Sequence, residues 1–384
     1  RLPPPAEASG FRRIILMNNR PFDFIQRFDY ILFIAVMLLI GFGIMMIASA
    51  TQDAIDPDLI NRVPDQIRFA VVGLVALIVL TFVDYRLLGG LHMWLYIGMI
   101  ILLLLTRILG VEGDAGAQRW LNIGIRVQPS EIAKIVLIVT LSTFFARRYK
   151  ELGNVMTIIK SMVHVGIPAL LVFAQPDLGT TIVLLVIWAV IIWAAGIRLQ
   201  HIALLGLVGV LSLPLLLTQL EPYQLARFTT FLFEDSDPDA QYNIDQALIS
   251  VGSGGVLGKG YAAGPQNTGR FLRVRHTDFI FSVIAHEFGF VDSVATMALL
   301  ALVILRVLRA AYYASDPLGS MICYGVAGLI FFQSVVSIGM NLRLVPVTGL
   351  TLPFVSSGGT SLLFTMIGIG LVQSVIVRRR KLTV

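Results

Sequence analysis

ILFIAVMLLIGFGIMMIASA, residues 31–50, carries no charged side chain from end to end. A helix of that length rises about 30 Å, the thickness of a bilayer's hydrocarbon core. Blocks of the same kind recur at 67–83, 91–109, 132–145, 158–173, 180–195, 202–220, 290–311, 321–340 and 361–377, so ten spans are expected. The fourth is expected to start earlier, within QPSEIAK, and the fifth to be interrupted by Pro168. Over its 384 residues the chain is 57% hydrophobic, with a mean hydropathy of +0.84. Soluble domains run near ~45–50% apolar. Backbone polar groups in lipid must be satisfied within each segment, so the prediction is an all-α polytopic membrane protein. A β-barrel would need alternating segments of about ten residues, which the chain lacks.

The net charge of +6 does not point to nucleic acid, because the cations flank the apolar blocks and do not line one soluble face. One side receives Arg12, Arg13, Arg20, Arg27, Arg86, Arg147, Arg148 and Lys150, then Arg198, Arg306, Arg309 and Arg378 to Lys381. By the positive-inside rule that side is cytoplasmic, with both termini inside, and the acidic first outer loop TQDAIDPDLINRVPDQ agrees. Residues 1–28, with prolines at 3–5, are expected to form a cytoplasmic tail. Residues 29–384 form the spanning domain, in which 221–277 is a large extracytoplasmic loop. Numbering starts at Arg1 rather than Met, so the native start is expected to precede it, and no cleavable signal pattern precedes the first span. The single cysteine, Cys323, lies inside an apolar block, which speaks against redox chemistry.

Two outer loops carry cations that topology does not explain: Arg107, Arg119 and Arg126 after the third span, and Arg227, Lys259, Arg270, Arg273 and Arg275 in the long loop. An anionic ligand is the simplest reason. The alternative is pairing with Glu234, Asp235, Asp237, Asp239 and Asp245 of the same loop. The glycines of GSGGVLGKG, 252–260, suggest a place where backbone must come close to something. A nucleotide P-loop is excluded, since Ser253 stands where its first glycine belongs and Gly260 occupies the Ser/Thr slot.

Ionisable groups within or beside spans are costly and mark sites. In QPSEIAK, 128–134, Glu131 and Lys134 share a helix face and can pair; they are either a structural ion pair or a polar wall of a substrate cavity. In AQPDLGT, 174–180, Asp177 is either a helix cap or a functional acid. In HEFG, 286–289, His286 and Glu287 enter the apolar region. In VRHTDFIF, 274–281, Thr277 or Asp278 could cap the eighth helix. Alternatively Asp278, beside phenylalanines and just after converging cations, is a carboxylate of raised pKa suited to a general base.

These motifs together resemble the SEDS proteins (shape, elongation, division and sporulation), the RodA and FtsW glycosyltransferases of cell-wall synthesis. The likeness is carried by GAQRWLNIG at 116–124, QPSEIAK, AQPDLGT, Tyr223, Gln224 and Arg227, GSGGVLGKG, HTDFIF at 276–281 and LPFVSSGGTS at 352–361. It covers essentially all the chain after residue 28. The resemblance implies polymerisation of lipid II, an undecaprenyl-diphosphate-linked disaccharide pentapeptide, at the outer membrane face, with a class B penicillin-binding protein as partner. It implies an essential aspartate at Asp278 and supporting roles for Glu131, Lys134 and Arg227. Arg119, Lys259, Asp177 and His276 are further candidates for substrate contact. A divalent cation, Mg or Mn, could assist the diphosphate, although no ligand cluster in the sequence demonstrates one. GKGYAAGPQ is more similar to the elongation members, which favours RodA over FtsW. The chain departs from the family's pattern at Arg273, Asp292 and Ser357. A lipid II flippase without catalysis is the rival reading; it would site its polar groups near the midplane, commonly within repeated halves, and no repeat is visible. A scaffold would leave the outer cations and Asp278 without a purpose.

Overall fold

The apolar run at 31–50 is a helix because a segment in lipid must satisfy its backbone groups within itself and because Asp29 closes its open end. Its Oδ1 accepts from Leu32 N at 3.0 Å. This helix is α1, Tyr30–Ala50. The structure, a computed structural model, describes residues 26–52, 57–112, 118–122, 124, 126–151, 153–198, 200–201, 222–233, 238–264, 271–272 and 274–379. The elements that follow are α2 Arg62–Phe82, α3 Tyr85–Gly90, α4 His92–Leu109, β1 Val111–Glu112, β2 Gln118–Asn122, β3 Arg126–Val127, α5 Pro129–Arg147, α6 Val155–Phe173 and α7 Leu178–Ala194. The chain continues with α8 Pro222–Leu232, α9 Pro238–Ser253, α10 Ile280–Tyr312, α11 Pro317–Asn341 and α12 Gly359–Val377.

Among the described residues eight helices are long and apolar enough to cross a membrane, and α7 is a shorter apolar helix. The span expected at 202–220 lies outside the described residues. The fourth span begins at Pro129, as QPSEIAK suggested, with proline in the first turn where its missing N–H costs nothing. Pro168 does not interrupt the fifth: α6 runs through it, as spanning helices tolerate when neighbours satisfy the freed backbone groups. The fold is not helical throughout. A small antiparallel sheet, ordered β1-β2-β3, stands between α4 and α5, with Leu121 opposite Val127 and Asn122 opposite Arg126. Its strands are too short to show a period in the sequence. The long loop 221–277 is itself partly helical, containing α8 and α9.

Contacts at the helix ends establish which ends lie together. At one, the start of α1 meets the end of α12: Arg27 donates to the carbonyl of Arg379 at 3.1 Å and Gln373 Nε2 to that of Asp29 at 2.9 Å. Asp29 is paired with Arg306 near the end of α10, and Asp316 before α11 accepts from Tyr85 and Arg86 at 2.7 and 2.8 Å. The other end gathers the starts of α2, α5, α7, α10 and α12. There Gln66 receives Gly358 N at 3.2 Å, Gln128 reaches Asp177 at 3.1 Å, and Arg275 donates to the carbonyl of Ala50, the last residue of α1.

The glycine-rich stretch does approach another backbone, and it is the protein's own. α10 is broken at Gly289, whose φ of 76° and ψ of −163° belong to a region essentially reserved for glycine. The freed groups are taken up by the glycine loop. Lys259 N and Gly260 N donate to the carbonyls of His286 and Glu287 at 3.0 and 2.9 Å, while Phe290 N and Val291 N donate to those of Gly255 and Val256 at 2.9 and 3.2 Å. A Cβ at Gly258 (φ +78°) would come within 2.1 Å of the Glu287 carbonyl oxygen. Overpacking against backbone costs about 1–3 kcal/mol, before the strain of positive φ is added. Gly258→Ala is therefore expected to lower the detergent-solubilised protein's Tm by several degrees. A Tm equal to wild type would show that the loop does not need this approach.

Candidate active site

The second end of the bundle holds a cavity of about 260 Å³ between the start of α7, α8, the last turns of α11 and residues 345–350. Its wall is largely apolar, with Ile182, Phe228, Phe332, Val336, Val345 and Val347, and its polar lining comes from Arg119, Asp177, Gln224, Arg227 and Thr348. α8 places Arg227 at the boundary between this cavity and the VRHTDFIF turn. Gly349, with φ +75°, sits between the two: a Cβ on it would lie 3.8 Å from Arg227 Nη1 and 3.9 Å from Asp278 Oδ2. A guanidinium and a carboxylate thus approach one small open space from two different elements.

Asp278 is partly buried, in the turn that precedes α10. Burial pushes its carboxyl above the ordinary carboxylate range, against the opposing charge of Arg227 and a hydrogen bond from Thr277. It does not cap the helix. The residue in the cap position is Phe279, and no side chain of its own closes that end. The three carbonyls of His276, Thr277 and Asp278 are held by Ser357 N at 3.0 Å, Ser356 Oγ at 2.8 Å and Asn341 Nδ2 at 2.8 Å. With its backbone anchored on three successive residues, the turn presents Asp278 in one place.

The other candidates divide. Asp177 lines the cavity and also caps α7, accepting from Thr180 N at 3.1 Å, so both readings of it hold. Arg119 lines the cavity too, but its guanidinium donates to the carbonyls of Gln175 and Pro176 and fixes the α6–α7 turn. His276 is partly buried beside Asp278. Glu131 and Lys134 form an ion pair of 2.6 Å on α5, 7% and 2% exposed, and neither is among the cavity-lining residues. Lys259 lies apart as well: its backbone serves the Gly289 break and its side chain is exposed. His286 contacts Ser253 Oγ at 2.9 Å and Glu287 accepts from Ser49, which makes HEFG a set of ties to α9 and α1. Of the anionic partners weighed for the loop cations, Asp245 pairs with Arg343 at 3.8 Å. Glu234, Asp235, Asp237, Arg270 and Arg273 lie outside the described residues. Gly349 and Asn341 were not singled out from the sequence; VTGLTLP offered only a lone glycine in a Pro- and Thr-rich connection as a signal.

The family model for the FtsW, RodA and SpoVE cell cycle proteins matches residues 29–381. The chain belongs to this family, the SEDS proteins. Peptidoglycan glycosyltransferase MrdB of Escherichia coli K12 is 35% identical over 95% of this chain and 98% of its own. A probable peptidoglycan glycosyltransferase FtsW of Geobacter sp. strain M18 is 31% identical over 93% and 98%. A chain from a solved peptidoglycan synthase complex, described for its coordination of polymerization and crosslinking, superimposes with a TM-score of 0.78 at 29% identity, covering 91% of this chain and 97% of that one.

Of this SEDS chain's departures from the family's pattern, Ser357 and Asp292 lie among the described residues and Arg273 does not. Ser357 contributes its backbone N–H to the turn, which any residue but proline supplies. Asp292 lies one turn past the Gly289 break, partly buried, and its carbonyl accepts from Thr296 at 2.8 Å. Among the described residues no three His, Cys, Asp or Glu come together to hold a metal ion, and of the two carboxylates only Asp177 lines the cavity, Asp278 not being among its lining residues.

Proposed function

We propose that this peptidoglycan glycosyltransferase of the SEDS family polymerises lipid II into glycan strands at the outer face of the cytoplasmic membrane, as a RodA-like enzyme of cell elongation. The observation that carries the reading is the meeting of Asp278 and Arg227 around Gly349 at the edge of an apolar cavity. A lipid-linked sugar diphosphate needs those parts: greasy wall, cation and base.

The donor sugar is α-linked to diphosphate and the product linkage is β-1,4, so one inverting displacement suffices. The acceptor's GlcNAc 4-oxygen forms the new bond to C1 as the bond from C1 to the diphosphate oxygen breaks. The 4-hydroxyl proton passes to the Asp278 carboxylate, and the bonding electron pair leaves on the diphosphate. A guanidinium meets that charge better than a point cation because it presents a fork of donors; Arg227 fills this role, with Arg119 behind it. The undecaprenyl chain lies against Phe228, Phe332 and the valines. The distribution of cations between the ends of the bundle supports placement at the outer face. Arg27, Arg86, Arg306 and Arg378 engage at the end opposite Asp278, which the positive-inside rule makes cytoplasmic together with both termini.

The decisive experiment is glycan polymerisation from labelled lipid II by the purified protein with a class B penicillin-binding protein, the partner that the synthase complex's coupling of polymerization to crosslinking supports. Lipid moved between leaflets with no polymer formed would establish the flippase reading instead. Arg227→Ala is expected to remove about 1.5–3 kcal/mol of charged hydrogen bonding, roughly a 10- to 150-fold loss in kcat/KM for lipid II with the fold retained. Unchanged turnover at low lipid II would take the diphosphate from Arg227. Relatives named MrdB and FtsW match at similar identity, so the elongation role rests on GKGYAAGPQ. It is tested by whether the gene restores rod shape to cells depleted of their elongation enzyme; restored septation alone would make it FtsW-like.

A further inference from the structure

We propose that Asn341 is a positioning residue for Asp278: it caps α10 from a neighbouring helix and so keeps the Asp278 carboxylate facing Arg227. The proposal rests on the reading of Asp278 as the general base.

A helix start leaves backbone N–H groups without partners inside the helix, and these attract negative charge. An aspartate just before such a start ordinarily turns its carboxylate onto them. Asp278 stands two residues before Ile280, where α10 begins, yet Ser282 N donates to Asn341 Oδ1 at 2.9 Å, beside the Phe279 carbonyl at 3.1 Å. The same oxygen accepts from Ser282 Oγ at 2.7 Å. Asn341 Nδ2 meanwhile donates to the Asp278 carbonyl at 2.8 Å and to the Ser337 carbonyl at 2.7 Å. A carboxamide has two N–H donors and two acceptor lone pairs, and all of them are spent. Asn341 is 1% exposed, so no water competes for these bonds. One side chain on α11 therefore ties the base's backbone to α11 and occupies a helix-start N–H toward which the base's carboxylate could otherwise turn.

With Asn341 truncated, Ser282 N–H keeps only the Phe279 carbonyl at 3.1 Å, Ser282 Oγ loses its acceptor, and the Asp278 carboxylate, its backbone no longer tied to α11, is free to turn onto the helix start. A carboxylate that accepts a backbone N–H holds its proton less well and is a poorer base. Other charged groups do not offset this. Arg227 on α8 faces Asp278 in either case, Arg275 is turned to the Ala50 carbonyl, and Arg343 is turned to Asp245.

The test compares wild type, Asn341→Ala, Asn341→Asp and Asp278→Asn, each purified with the partner and assayed on lipid II across pH. Asn341→Ala is expected to lose about tenfold or more in kcat with KM nearly unchanged, and its acid limb is expected to move down by about one pH unit. Asn341→Asp retains an acceptor for Ser282, so its acid limb is expected at or above the wild-type position. A kcat loss with an unmoved limb in Asn341→Ala would reduce Asn341 to a structural residue and overturn the proposal, as would wild-type kinetics. Should Asn341→Ala not fold, Asn341→Asp decides, and a limb below wild type sinks the idea. Activity in Asp278→Asn would instead remove the base assignment beneath it, an outcome separable from an inactive Asp278→Asn beside an unaltered Asn341→Ala.

Discussion

Asp278→Asn is expected to fold, bind lipid II and make no strands. A positioned general base contributes about 10²–10⁴-fold, and asparagine fills the same volume while accepting no proton. The expected loss in kcat is of that order, read as labelled glycan polymer per unit time. Folding should not suffer. Burial raises the Asp278 carboxyl above its unfolded value, so the folded state holds that proton more tightly than the unfolded one does. The stabilisation from this linkage is full below the unfolded pKa and is lost as pH rises through the folded pKa. At neutral pH the ionised carboxylate is a cost, and Asp278→Asn should match or exceed the wild-type Tm. Activity runs the other way. The base must be ionised, so the rate falls as pH drops through the raised pKa, at a higher pH than the ~3.9 of an exposed aspartate. Substantial polymer from Asp278→Asn would end the base assignment.

Glu131→Ala is expected to cost about 3–5 kcal/mol of stability, because it leaves Lys134 as an uncompensated charge inside the bundle. The pair is 2.6 Å apart on successive turns of α5, and neither member lines the cavity. Removing both charges together has a different consequence. Glu131→Leu with Lys134→Met replaces an ion pair by apolar groups of similar volume, a change that is often neutral or stabilising. Thermal unfolding of the three proteins in detergent separates the possibilities. A low Tm for the single variant and a recovered Tm for the double one identify a structural pair. If the recovered double variant also polymerises lipid II, the pair has no part in substrate contact; if it is stable and inactive, the pair reaches the substrate after all.

The spanning helices were legible because their signal is local. Residues 31–50 are apolar in sequence and form α1 in space, and the helix start within QPSEIAK is announced by Pro129 itself. The pairing of Glu131 with Lys134 follows from helical spacing alone. The β1–β3 sheet was not legible, since strands of two to five residues show no period. GSGGVLGKG could be recognised as a close approach, but its target could not, because the break at Gly289 exists only where the two backbones meet. Charge alone groups Lys259 with Arg227, but the fold sends its backbone to that break and its side chain outward.

Length, hydrophobic blocks and flanking cations determined by themselves that this chain is a membrane-spanning helical protein with a carboxylate at the start of a late helix. Those properties depend on neighbours within a turn or two. Which cation faces that carboxylate, and which side chain relieves it of capping duty, depends on contacts such as Asn341 with Asp278, 63 positions apart. Such contacts form only when helices pack, because a hydrogen bond needs its partners within about 3 Å and no local pattern encodes that distance. The tertiary structure alone set Arg227, Gly349 and Asn341 around Asp278.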